Sequence, residues 1–105
     1  MRVRGTKGAQ VVSIGLRLDA GTVAGVRTQL HEAVDSGSGD LIVDLAELEM
    51  IDATGLGVLV GTQCRARDAG RHLILRRVPP RIMRVLVVTR LNRVLRVESA
   101  MAAVA

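Results

Sequence analysis

The sequence predicts an α/β fold with a mixed, mostly parallel central sheet of about four to five strands and about four helices. Three observations predict it. Short runs rich in β-branched and aliphatic residues alternate with stretches of helical period. Glycine or proline punctuates the chain between them, at Ser36-Gly-Ser-Gly39, Gly70 and Pro79-Pro80. The resulting order, β β α β α β α β α, joins strands through single helices, which implies right-handed parallel crossovers. A length of 105 residues fits one domain, 1–105.

The elements follow in order. Val3 to Thr6 reads as a short partner strand before a Lys7-Gly8 turn. Val11-Val-Ser-Ile-Gly-Leu-Arg-Leu18 reads as a strand with Ile14, Leu16 and Leu18 on one face. Gly21-Thr22 opens a helix, with Thr22 as N-cap; Val23, Val26, Leu30, Ala33 and Val34 fall at helical spacing, and Arg27, His31, Glu32 and Asp35 take the outer faces. Leu41-Ile-Val-Asp-Leu45 is continuous enough to be a strand buried on both faces. A second helix starts abruptly at Asp52-Ala53-Thr54-Gly55, with Leu56, Leu59, Val60 and Cys64 as its apolar stripe, and runs to Asp68-Ala69. Gly70 stands where a helix C-cap belongs. His72 to Arg76 is the next strand, and Pro79-Pro80 sets the first turn of a third helix with Ile82, Val85 and Leu86 inward. Val94 to Val97 is the last strand, and Ser99 caps a terminal helix from Ala100 to Val104.

Composition narrows the function. No apolar run is long enough to span a membrane, and Met1 to Lys7 lacks the apolar stretch of a signal peptide. One cysteine, Cys64, permits no internal disulfide and fits a reducing cytoplasm, and no Cys/His cluster offers a metal site. Cys64 reads as core, without a partner base, and Met50, Met83 and Met101 as gap-filling core residues. There is no Phe, Tyr or Trp, which weakens any reading that needs base stacking. The net charge of +5 hides an asymmetry. Residues 1–64 hold five basic and eight acidic groups, a net −3, and residues 65–105 hold ten arginines against Asp68 and Glu98, a net +8. Arg81, Arg84, Arg90, Arg93 and Arg96 form either a solvated face, which is the default, or a docking rim for an acidic partner; no nucleic-acid-binding motif accompanies them.

The most informative segment is Leu41 to Leu59. A buried strand and a short loop lead to a helix start that carries a hydroxyl beside a carboxylate. A phosphate placed there meets free backbone N–H groups and the positive end of the helix dipole. Gly55 and Gly57 leave backbone uncovered for a large partner. Thr54 reads either as the N-cap or as a phosphoacceptor, Asp52 either as the cap or as the group that orients the hydroxyl, and Asp19 as a strand-ending turn residue. Gly55-x-Gly57-x-x-x-Gly61 has Val60 where a dinucleotide fingerprint needs its third glycine, so no nucleotide cofactor is expected, and Gly61 reads as a close-packing position.

Ile51-Asp-Ala-Thr-Gly-Leu-Gly-Val-Leu59 resembles the D-S-[ST]-G-L-G-x-L signature of STAS domains, the anti-sigma factor antagonist family. Val43-Asp-Leu45, Arg65 to Leu75, Val78 to Arg81 and Thr89-Arg-Leu-Asn-Arg-Val94 resemble its neighbouring segments, so the similarity runs from about Val11 to Ala103. The resemblance implies a STAS-type fold and a small cytoplasmic bacterial protein that is not an enzyme. Unphosphorylated, it would bind an anti-sigma factor with a histidine-kinase-like ATPase fold and so release a sigma factor. That kinase would phosphorylate Thr54 and end binding, and a PP2C-type phosphatase would restore it. Asp19, Asp52, Ala53, Gly55, Leu56 and Gly57 would support the phosphosite or touch the partner. No cofactor, metal, membrane or direct nucleic-acid partner is expected, and the free chain would be a monomer or weak dimer. The alternatives are a stressosome-like or scaffolding STAS protein acting through homotypic assembly, a nucleic-acid binder using the basic half, and the STAS domain of a transporter. Ala53, Leu16 and Arg90 depart from the usual family residues, the last two standing where glycine is common.

Overall fold

In a computed structural model the described residues are 2–6, by backbone, and 8–98. The terminal helix read at Ala100 to Val104, its Ser99 cap, Met101 and Lys7 lie outside them.

The sheet is mixed and mostly parallel. β1 (Arg2–Thr6) pairs antiparallel with β2 (Ala9–Ser13), and β4 (Asp40–Asp44), β6 (Leu73–Arg76) and β7 (Arg96–Val97) continue it in parallel, in the order β1-β2-β4-β6-β7. Between the parallel strands run α1 (Val23–Ser36), α2 (Ala53–Asp68) and α3 (Pro80–Val88). The parallel strands advance across the sheet without reversing, so right-handed crossovers put all three helices on one side. The row Val12, Val43 and Leu75, aligned by register, belongs to the main core with Leu30, Val34, Leu59, Ile82 and Leu86. Val11 and Ile42 occupy the next row, point the other way, and are buried outside that core. An advancing order also leaves no strand-order reversal, the place where α/β sheets open a ligand crevice.

Several expectations need correction. The long strand from Val11 to Leu18 is two elements. β2 ends at Ser13, and β3 (Arg17–Leu18) leaves the main sheet to pair in parallel with β5 (Met50–Ile51). Alternation does not survive this break, so Leu16 is 58% exposed while Ile14 and Leu18 are buried. Met50, expected in the core, is 49% exposed on that short pair. On α2 the buried residues are Gly55, Val58, Leu59, Thr62 and Ala66, with Leu56, Val60 and Cys64 at the margin. The stripe is rotated because Thr62 can be buried: its hydroxyl donates to the Val58 carbonyl at 2.7 Å. Gly61 is exposed with open space around it and makes no close packing. Thr22 holds the N-cap position of α1 without capping; its hydroxyl donates to the Arg17 carbonyl and accepts from the Asp19 N–H. A 3-10 turn at Leu91–Arg93, preceding β7, is too short to carry a readable period. Arg90 opens it at φ 63°, a left-handed conformation that explains why glycine suits this position.

α2 ends as its glycine foretells. Gly70 adopts φ 73°, its N–H donates to the Arg67 carbonyl, and the Arg71 N–H donates to the Ala66 carbonyl. That paired arrangement is a Schellman turn. It delivers Arg71 into the interior, where only 6% of the residue is exposed. The guanidinium donates to the carbonyls of Ala33 and Val34 at the end of α1, of Ser38 and Gly39 in the following turn, and to Gln10 Oε1 on β2. Burial pulls its pKa below the usual arginine value and the Asp40 carboxylate opposes this. Asp44, at the end of β4, is a buried acid. Burial alone would raise its pKa, but hydrogen bonds from Arg77 and from the Ala46 N–H hold it below the usual carboxylate value. Among the described residues no helix is long and apolar enough to cross a membrane.

Arg71→Met is expected to lower stability by about 2–4 kcal/mol, because it strips buried carbonyls of their donor; urea unfolding with an unchanged slope checks it. Because the folded pKa of Asp44 is depressed, its contribution is full above the unfolded value of about 4 and is lost as pH falls through the lower folded value. Acid titration of the urea midpoint should therefore show a fall below about pH 4 that is shallower in Asp44→Asn.

Candidate functional site

The site forms where the two short strands end. Registers Arg17 to Met50 and Leu18 to Ile51 bring β3 and β5 to the same level, so Asp19 and Asp52 follow at adjacent strand ends although they are far apart in sequence. The Asp52 N–H reaches the Leu18 carbonyl at 3.3 Å, and α2 begins at the next residue.

Asp52 is the N-cap. Its backbone is extended, and Oδ1 accepts from the Gly55 N–H at 3.0 Å, the third residue of the helix. The same oxygen accepts from the Thr54 hydroxyl at 2.5 Å, and Oδ2 accepts from the Ala20 N–H at 3.0 Å. Thr54 is thus not the cap; it stands exposed in the first turn with its hydroxyl held by the capping carboxylate. The Thr54 hydrogen bond first, then those from the Gly55 and Ala20 N–H groups, lowers the Asp52 pKa, so the group is ionised at neutral pH.

Asp19 is close in the fold but turned elsewhere. It is 8% exposed, and its carboxylate accepts from Arg17 Nε at 2.8 Å and from the Gly21 N–H at 3.0 Å, not from Thr54. Its backbone carbonyl accepts from the N–H groups of Thr22 and Val23, which sets the entry of α1. Asp19 therefore shapes the loop that Asp52 holds through Ala20.

The two glycines of the motif differ. A Cβ on Gly55 would overlap the Leu18 carbonyl oxygen and sit 2.9 Å from Leu18 Cγ. Gly55 is buried, and its function in the fold is to let α2 lie on β3. Gly57 is exposed with open space where a Cβ would stand, so it alone leaves backbone uncovered. Ala53 is exposed and Leu56 half-buried. Sequence reasoning missed the surroundings: Leu16 is exposed, and exposed Met50, whose Sδ accepts from Arg17 at 3.6 Å, lines a shallow depression of about 570 Å³ together with Arg17, Ala20, Gly21 and Asp52. The glycine at position 15, which interrupts the strand, was the available signal. Among the described residues no three His, Cys, Asp or Glu side chains gather as metal ligands would.

Chemically, the site offers a hydroxyl oriented by an ionised carboxylate at the positive end of a helix, open to a macromolecule. Known proteins share the fold. A family profile described as Mlab, STAS domain matches residues 1–97. The anti-sigma-B factor antagonist of Staphylococcus epidermidis is 33% identical over 87 residues, spanning 83% of this chain and 81% of that protein. An anti-sigma-factor antagonist (STAS) domain protein from Planctomyces limnophilus superposes with a TM-score of 0.83 at 22% identity, covering 97% of this chain and 92% of that one. The Bacillus cell fate determinant SpoIIAA in its phosphorylated form superposes at 0.70 with 19% identity, covering 98% and 95%. The chain belongs to the STAS-domain family of anti-sigma factor antagonists.

Gly55→Ala is expected to destabilise by about 1–3 kcal/mol by overpacking, whereas Gly57→Ala should stabilise α2 by up to about 1 kcal/mol. Thermal unfolding of the two variants side by side checks the contrast.

Proposed function

We propose that this STAS-domain chain is a phosphorylation-switched antagonist of an anti-sigma factor, with Thr54 as the phosphoacceptor. The partner is an anti-sigma factor of histidine-kinase-like ATPase fold, whose capture by the unphosphorylated chain frees a sigma factor. A PP2C-type phosphatase resets the switch. The chain itself catalyses nothing and presents a hydroxyl to another molecule's active site.

The observation that supports this most is the 2.5 Å hydrogen bond from Thr54 to Asp52 on an exposed helix start. The carboxylate fixes the hydroxyl rotor, leaves the oxygen lone pairs for an electrophile, and can accept the proton as a phosphoryl group arrives. Ala53 and Gly57, both exposed, flank Thr54 with little steric bulk. Asp19 acts through the Ala20 loop rather than on the hydroxyl, and Leu56 and Gly55 position the helix. The phosphorylated form of SpoIIAA among the fold neighbours is consistent with this use of the fold.

Phosphorylation would add about −1.5 to −2 charges beside Asp52. Like charges brought together in a close-packed interface cost several kcal/mol. Thr54→Glu is therefore expected to weaken capture of the kinase-like partner by about a hundredfold, while Thr54→Ala keeps binding and loses phosphate incorporation from ATP. Affinity capture from the source cells with mass spectrometry, followed by mapping of the phosphorylated residue, checks both. Equal capture of the same proteins by wild type and Thr54→Glu would reject the switch, and capture only of further copies of the chain would favour homotypic assembly.

A further inference from the structure

A second surface lies further along α2, away from Thr54. A cavity of about 490 Å³ opens between α2, α3 and the end of the sheet, lined by Gln63, Leu73, Met83, Asn92, Arg93 and Arg96 among others, with no carboxylate among the described residues of its walls. Gln63 Oε1 is shielded from solvent and accepts no hydrogen bond among the described residues. A buried amide oxygen without a donor costs free energy, and a small rotation about the terminal torsion, which is broad, turns it toward an incoming N–H.

Arg93, Arg96 and Val94 line this cavity, and α3 with the residues that follow it adds further exposed arginines and valines outside its walls. Arg81, Arg84, Arg90, Arg93 and Arg96 are exposed, and none of them makes an ion pair among the described residues. Val94 is 48% exposed in the cavity wall, and Val87 and Val88, at the end of α3, are exposed by 51% and 76%. Unpaired guanidinium forks around exposed aliphatic side chains have the make-up of a protein interface, an apolar centre within a polar rim. The larger apolar face of α3, with Ile82 and Leu86, is already buried in the core and is not available to a lipid surface.

We propose that this cleft is a second docking site that takes an acidic peptide segment of a partner protein. One ligand class supplies everything the surface lacks. Its carboxylates fit the guanidinium forks of Arg93 and Arg96, its backbone N–H groups reach Gln63 Oε1, and its small apolar side chains cover Val94 and the Leu73–Met83 floor. The site stands independently of the Thr54 reading and leaves that face free.

The test uses the full chain and a fluorescein-labelled peptide of alternating glutamate and valine, followed by fluorescence anisotropy. The expected result is saturable binding that Arg93→Ala with Arg96→Ala weakens at least about tenfold. Gln63→Leu should weaken it about threefold or more while raising the thermal midpoint of the free protein, because the orphaned polar atom is gone. A merely structural glutamine would not split the two readouts. Thr54→Glu should leave the affinity unchanged. The proposal is overturned by absent or non-saturable binding, by equal binding of a lysine–valine peptide, or by indifference to all these variants. Tighter binding of duplex DNA or of phosphatidylserine vesicles, or arginine-dependent dimerisation of the chain, would overturn it in favour of those occupants.

Discussion

The candidate site depends on one contact: the first turn of α2 lies directly on the backbone of β3, and only a residue without a Cβ at position 55 allows it. Two-residue strands such as β3 and β5 have little stability of their own. They persist because Leu18 and Ile51 are held between the core and the oncoming helix. That clamp sets the level at which Asp19 and Asp52 emerge, and Asp52 then uses both oxygens, one on α2 and one on the Ala20 loop. The far end of α2 is fixed as firmly, since its Schellman turn leads straight into the buried Arg71. α2 is thereby a strut tied at both ends, with exposed chemistry at its start.

The arginines of the basic half do different physical work. Arg71 is committed inside to carbonyls at the end of α1 and in the turn that follows. Arg77 neutralises buried Asp44, and that pairing matters because the acid is shielded from water. Arg65 with Asp35 is exposed on both sides, so that pair orients side chains and contributes little to stability. Of the remaining arginines, Arg81, Arg84, Arg90, Arg93 and Arg96 follow one another from α3 to β7, and Arg67 on α2 is also exposed without an ion pair among the described residues. Most of the unpaired charge of residues 65–105 therefore comes from the one stretch between α3 and β7.

The sheet and its three described helices were legible because their signals are strong. Buried aliphatic runs, glycine and proline punctuation and helical spacing all agree over β4, α1, α2 and α3. The β3–β5 pair was not legible, because two residues carry no periodicity and their partners are 33 positions apart. Leu16 and Met50 were misplaced for the same reason: hydrophobicity argues for burial until a bend turns the side chain outward. The choice between Asp52 and Thr54 as cap stayed open in sequence since both residue types cap helices, and geometry decided it. Asp19 beside Asp52 followed only from family resemblance. Arg71 was invisible, as an arginine after a glycine cap reads as surface until the fold brings α1 over it.

The site's electrostatics also indicate where a phosphate on Thr54 would be felt. Thr54 is exposed, so in the free chain water screens the repulsion between a dianion there and the Asp52 carboxylate. The positive end of α2 offsets part of what remains. The contacts that hold α2, at Gly55 against β3 and at Arg71 against α1, lie in the interior and do not involve the hydroxyl. The fold itself therefore need not yield to the added charge. A partner that covers Ala53, Thr54 and Gly57 meets the same charge after water has been excluded, where the lower dielectric multiplies its cost. A phosphate here would act on docking more than on stability, and the rigidity of α2 is what keeps the two effects apart.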